Sequence, residues 1–173
     1  MTDGDVYITA EMRSVIGVPF RETVSYPVAA SDIRRWAIAV YYPEVPPRLY
    51  WDAAYAAATA YGGIVAPEDF NPFAWATAEP ELAPRAEGFD WDYTETRLGV
   101  KGPGLKTNLN AGSQTRYGPR IRPGDVIRST SRVHSYTEKQ GRMGTMLLTV
   151  VRSTWVNQHG ETVKETDQTS IRY

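Results

Sequence analysis

In "SDIRRWAIAVYY" the apolar residues Ile33, Trp36, Ala37 and Val40 recur at the spacing of one helical face, with Ser31 at the N-cap position and Asp32 in the first turn. Pro43 ends the pattern, because a proline drives the residue before it out of the helical region. "WDAAYAAATAYGG" predicts a second helix, capped by Asp52, carried by alanines and stopped by Gly62 and Gly63. "IVAPEDFNPFAWATAEPE" predicts a third, more apolar helix that starts near Pro67 and buries Phe70, Phe73 and Trp75, with Pro72 interrupting its interior.

Elsewhere the period is two. "FRETVSYPV", Phe20 to Val28, reads as a first strand. "NLNAGSQTRYGPRI", "DVIRSTSRVHSYTEKQ", "GTMLLTVVRSTWVNQ" and "TVKETDQTSIRY" are rich in Thr, Val, Ile and Tyr and are parted by "RPGD", "QGRMG" and "QHGE" turns, which predicts antiparallel hairpins. Pro80 to Gly104 is dense in Pro, Gly and charge and long for a connection, so it reads as a lid-like segment with a short strand near Trp91 to Thr96. Strand, helices, long loop and meander, in that order, predict an α+β fold with helices against one antiparallel sheet.

Composition narrows the function classes. The 173 residues, 42% of them hydrophobic, suit a single domain spanning 1–173. Lys+Arg 19 stand against Asp+Glu 20, so there is no overall basic field for nucleic acid. No apolar run approaches the ~20 residues of a membrane span. The acidic start "MTDGDVYITAEM" lacks the pattern of a signal peptide, so the expectation is a cytoplasmic protein without membrane contact. With no cysteine and only His134 and His159 as histidines, neither a disulfide, a thiolate nucleophile nor a metal site is expected.

The stretch "NAGSQTRYGPRIRPGDVIRSTSRVHSYTEKQGRMGTMLLTVVRSTWVNQHGETV" resembles the sheet half of the MaoC-like dehydratase and (R)-specific enoyl-CoA hydratase family. The resemblance lies in the "RPGD" turn before a long strand, a Gly-containing hairpin and "NQHGE" near the last strand. Upstream, "IGVPF", "SDIRRWAIAV" and "YAAATAYGGIVAP" follow the order of that family's N-terminal dehydratase type. The resemblance implies a hot-dog fold, with the helix from Pro67 as the long central helix wrapped by the sheet and with two subunits pairing. It implies a coenzyme A or carrier thioester as substrate and no resident cofactor. In the family an Asp and a His, a few residues apart, act on water and on the substrate's alpha position. Hydration of a 2-enoyl thioester needs such proton transfers, and N–H groups to hold the developing enolate oxygen. The matching stretch here is "VYYPEVPPRLYWD", where the Asp position falls near Tyr42 and the His position at Leu49 or Tyr50, so neither catalytic type is present.

Glu44, held between Pro43 and Pro46, and Tyr50 are the candidates to stand in for that pair, although a tyrosine with its ordinary pKa near ~10 is a poor base at neutral pH. Asp52 reads more simply as a cap. Tyr42 and Tyr50, within the aromatic group Tyr41, Tyr42, Tyr50, Trp51, Tyr55 and Tyr61, are candidates to line an acyl tunnel, the rest of the group being core. Ala66, Glu68 and Asp69 stand at the expected start of the third helix, where free N–H groups could hold a thioester oxygen, and the two acids also suit the helix dipole. Lys101, Lys106, Arg116 and Arg120, with Arg122, are candidates for the phosphates of coenzyme A. Alternation would put His134 on the strand face of Arg132 and Tyr136, and His159 in a turn. The expected function is the non-catalytic, substrate-binding subunit of a heteromeric hydratase or dehydratase acting on fatty acyl or steroid side-chain thioesters, with a second hot-dog chain carrying Asp and His. The alternatives are a binding homodimer without turnover, and a self-sufficient hydratase using Glu44 and a tyrosine. An uncovered sheet edge predicts a dimer burying ~1,200 to 2,000 Å².

Overall fold

A computed structural model describes residues 6–74, 90–142 and 144–173. They form one five-stranded antiparallel sheet from β1 (Pro19–Val24), β2 (Asn108–Tyr117), β3 (Arg128–Gly141), β4 (Gly144–Val156) and β5 (Thr162–Arg172). The strand order is β1-β3-β4-β5-β2. β3, β4 and β5 make the expected meander, but β2 does not form a hairpin with β3: it crosses to the far edge and pairs with β5, Asn108 opposite Arg172 and Tyr117 opposite Lys164. The "RPGD" turn is therefore part of a crossover. Asp125 accepts from the Arg122 N–H at 2.7 Å, and Gly124, at φ 91°, donates its N–H to Val28 at 2.8 Å, tying the crossover to the end of the β1 segment.

α1 (Ala10–Ser14), not anticipated in the sequence, is capped by Thr9, which accepts from the Met12 N–H at 3.1 Å. α2 (Ala30–Tyr41) starts one residue before Ser31, with Ala29 as N-cap; Ile33 and Ala37 are fully buried while Val40 is 55% exposed, so its apolar stripe is narrower than the spacing suggests. Asp52 caps α3 (Ala53–Ala57) by accepting from the Tyr55 N–H at 3.0 Å, but that helix stops at Ala58, short of Gly62 and Gly63. Between Trp91 and Thr96, where a strand was expected, the chain forms α4 (Tyr93–Arg97). The helical turn is what carries Glu95 into the core to meet Arg172.

The helix expected to begin near Pro67 does not start there. Phe70 donates its N–H to the Pro67 carbonyl at 3.1 Å and Phe73 to the Asn71 side chain at 3.0 Å, and the chain continues in turns to Ala74. Pro72 supplies no donor, and the Asn71 carboxamide competes for the backbone, which together favour turns over helix. The rest of that expected helix, Trp75 included, lies outside the described residues. Phe70 is buried as expected, edge-on to Trp36 at 5.8 Å between ring centroids, whereas Phe73 is half-buried, edge-on to Trp155 at 5.1 Å.

The core is in two parts. One gathers Val28, Ile33, Ala37, Tyr50, Ala66, Phe70, Ile121, Ile127 and Val163. The other gathers Ile8, Met12, Val133, Tyr136 and Leu147 at the opposite end of the long strands. None of the helices among the described residues is long and apolar enough to cross a membrane.

Candidate functional site

Among the described residues, the inner face of the sheet between the two core clusters is open. A groove of about 640 Å³ runs over β1, β3, β4 and β5, bounded by Phe20, Phe73, Tyr93 and Trp155. Strand register sets its floor. Ser131 faces Ser153, Ser153 faces Thr166 and Thr166 faces Thr115, so four hydroxyl side chains lie in one row across β3, β4, β5 and β2. Ser131 and Ser153 are hydrogen-bonded at 2.9 Å, and Thr115 and Thr166 at 3.1 Å. A side-chain period of two puts these residues on the face that carries Val151 and Trp155.

The next row is cationic and aromatic. Lys164 faces Trp155 and Tyr117 on its two neighbouring strands, with its ammonium 4.8 Å from the Trp155 ring centre and 5.4 Å from that of Tyr117. The Lys164 side chain keeps 16% of its exposure, and this burial holds its ammonium below the ordinary lysine range, against the pull of Asp69 at 3.9 Å. Tyr117 donates to Asp69 at 2.6 Å, and that bond, with some burial, pushes its hydroxyl up to about 12.

The sequence candidates are dispersed around this groove. Tyr50 is buried against Tyr41, at 6.0 Å between rings, and burial pushes its hydroxyl up to about 12. Tyr42 is 81% exposed, and Glu44 is exposed on the same loop. Neither Glu44 nor Tyr50 is among the groove's lining residues. Trp51, Tyr55 and Tyr61, expected in the core, are exposed as well, so the aromatic group divides between core and surface. Ala66 is buried and donates its N–H to the Ile121 carbonyl at 2.8 Å, which removes the free donor expected of a helix start. Glu68 pairs with Arg120 at 2.9 Å, and Asp69 is committed to Tyr117 and Lys164.

The basic residues do not form one cluster. Arg116 binds Glu165 at 3.1 Å, Arg120 binds Glu68, and Arg122 donates to the Tyr61 carbonyl at 2.7 Å, all near the Lys164 end of β5. Lys101 and Lys106 precede β2 at the Arg172 end, roughly 25 Å of strand away. The acids that precede Lys101 in sequence do not pair with it: Glu95 is fully buried on Arg172, and Asp92 accepts from Arg172 and from the Gly104 N–H.

His134 is not on the face of Tyr136. The register slips between Val133 and Ser135, so Val133 and Tyr136 both turn inward and His134, the extra residue of the bulge, turns out. It lies over the outer face with Gln114, Asp167 and Thr169, opposite the groove. His159 sits in the turn after β4, where the Asn157 side chain accepts from the N–H groups of His159 and Glu161, both at 3.0 Å. Sequence reasoning passed over the groove residues themselves. Their signal was the alternation Ser129, Ser131 and Ser153, Trp155 and Lys164, Thr166, Gln168, readable only once the inner face is known.

Comparison with known proteins places this geometry. Among solved structures, the chain is similar to the ChsH1-ChsH2 complex from Mycobacterium tuberculosis, with 18% identity, TM-score 0.65 and coverage of 94% of this chain and 89% of that one. It is similar to the MaoC-like dehydratase from Rhodospirillum rubrum, with 20% identity, TM-score 0.53 and coverage of 88% and 90%. It is also similar to the R-hydratase PhaJ1 from Pseudomonas aeruginosa, with 17% identity, TM-score 0.53 and coverage of 90% and 85%. At these identities the likeness shows the fold, which is the hot-dog α+β fold expected from the sequence. Comparison with curated protein sequences gives no match. The family described as "FAS1-like, dehydratase domain region" matches residues 14–166, and the chain belongs to it.

Proposed function

We propose that the chain is the substrate-binding, non-catalytic subunit of a heteromeric enoyl-CoA hydratase or 3-hydroxyacyl-thioester dehydratase, with the proton-transferring Asp and His on a second hot-dog chain. The observation that carries this reading is that neither imidazole reaches the groove: His134 is on the opposite face of the sheet and His159 is in a turn beyond it. The loop after α2, from Tyr42 to Tyr50, offers an exposed Glu44 outside the groove and a buried tyrosine whose hydroxyl is held protonated. Two of the similar solved structures are described as two-chain complexes, ChsH1-ChsH2 and the HadBC 3R-hydroxyacyl-ACP dehydratase of Mycobacterium tuberculosis, which supports a second chain here. In this arrangement the groove binds and orients the acyl group, and the partner delivers and removes the protons. The thioester belongs to coenzyme A or to an acyl carrier, and the assembly works in the cytoplasm.

The test is hydratase activity on 2-enoyl-CoA, measured for the chain alone and after co-expression with a hot-dog chain carrying Asp and His. The lone chain is expected to show negligible turnover, since the missing proton transfer is worth ~10² to 10⁴ in rate. Glu44→Gln and Tyr50→Phe should leave the activity of the pair nearly unchanged. Robust turnover by the lone chain that Glu44→Gln abolishes overturns the proposal in favour of a self-sufficient enzyme.

A further inference from the structure

The inner face of an antiparallel sheet normally carries the apolar half of the alternation, yet here the middle of that face is hydroxylated. Ser131, Ser153, Thr166 and Thr115 are all half-buried and stand in register across four adjacent strands. Each hydroxyl has one donor and two acceptor sites. The bonded pairs Ser131 with Ser153 and Thr115 with Thr166 each use one donor and one acceptor, so each pair retains a further donor and several acceptors. Ser129, Thr23 and Gln168 add polar groups to the same lining, and Lys164 adds a half-buried cation held flat on Trp155. The walls carry the rings of Phe20, Phe73, Tyr93 and Trp155, with Arg21, Asn71 and Thr94 among them. At about 640 Å³ the groove has the size of a small-molecule site.

A plain hydrocarbon laid along this floor would strip water from the hydroxyl row and return no hydrogen bonds. A ligand with flat apolar faces and oxygen substituents satisfies both walls and floor. We propose that the groove selects acyl groups carrying hydroxyl or keto oxygens, which Ser131, Ser153, Thr166 and the Lys164 ammonium read by hydrogen bonding. The inference rests on the acyl-thioester reading above and narrows it, away from unsubstituted fatty acyl chains. Lys164 can only donate, so it selects an acceptor oxygen, whereas the hydroxyl row serves donors and acceptors alike.

The experiment compares cholyl-CoA with cholanoyl-CoA, the same ring skeleton with and without its hydroxyls, by calorimetric titration of the full chain, alone and with its co-purified partner. Wild type is expected to prefer the hydroxylated thioester by about tenfold, the worth of one or two net hydrogen bonds. Thr166→Val with Ser153→Ala should bring the two affinities together while leaving cholanoyl-CoA binding as tight or tighter. Lys164→Met serves as a second, independent variant and should also lower the preference. Equal affinities in wild type, or a preference that survives in both variants, overturns the inference and leaves acyl binding standing. If neither thioester binds in either form, the acyl-binding reading fails and takes this one with it.

Discussion

Glu95 is the residue whose removal should cost the fold most. Its carboxylate is fully buried and accepts three hydrogen bonds, from Arg172 at 2.7 and 3.0 Å and from the Tyr136 hydroxyl at 2.8 Å. Burial, reinforced by that carboxylate, holds the Tyr136 hydroxyl well above its ordinary pKa, so it stays a donor at any working pH. In Glu95→Ala the guanidinium remains 3% exposed with only Thr149 at 3.0 Å, Asp92 at 3.3 Å and the Trp91 carbonyl at 3.4 Å, and its Nε already has no partner among the described residues. Asp92 then remains as the one, longer counter-charge, and removing the main partner of a buried ion pair costs about 3–5 kcal/mol. For a chain of this size that corresponds to a fall of about 6–20 °C in Tm. Urea unfolding followed by tryptophan fluorescence should show the lower midpoint at unchanged slope. Glu95→Leu combined with Arg172→Met removes both charges and should recover most of the loss, giving a large coupling energy in the double-mutant cycle. A cost below about 1 kcal/mol for Glu95→Ala, or a double variant no better than the single, would show that Arg172 finds water instead, and the argument from burial would be wrong.

Three further outcomes follow from the geometry. Gly118→Ala drives a Cβ into the Thr162 backbone oxygen and must part β2 from β5, so it should lose about 1–3 kcal/mol in urea, whereas Gly63→Ala meets only the Arg122 guanidinium at 3.9 Å and should stay within about 0.5 kcal/mol. Arg152 grips Asp167 through two bonds of 2.6 Å and holds its carboxyl below the ordinary range, so the stability from this pair is present above pH ~4 and lost as pH falls through the lowered native value; Arg152→Met should flatten the acid limb of a Tm-against-pH curve. Asp69→Asn removes the acceptor charge shared by Tyr117 and Lys164 and should bring the Tyr117 hydroxyl back toward its ordinary pKa in a spectrophotometric titration; no change there would remove that bond from the account.

Local chemistry was legible in the sequence, and nonlocal placement was not. The Asp52 cap and the apolar face of α2 depend on residues within one or two turns of each other, and both stand close to where spacing puts them. α4 reads as a strand because Tyr93, Thr94 and Thr96 favour extended backbone; what decides it is Arg172, distant in sequence, which draws Glu95 inward. The crossover of β2 to the side of β5 leaves no mark on β2 itself, since its pattern suits either neighbour. His134 keeps the side of Arg132, and Tyr136 was misplaced because one bulged residue inverts every later position of the alternation. The groove escaped for a related reason: serine and threonine in a strand read as the solvent side until the fold shows that side to be the inner one.

The hydroxyl row between the two cores also bears on heat. Apolar surface exposed on unfolding raises the heat capacity and polar surface lowers it. Each hydroxyl of the row that unfolding exposes therefore offsets a little of the heat capacity contributed by the apolar cores, where an apolar residue in its place would add to it. The curvature of the stability curve is then set by the two apolar cores rather than by the row that makes room for a ligand.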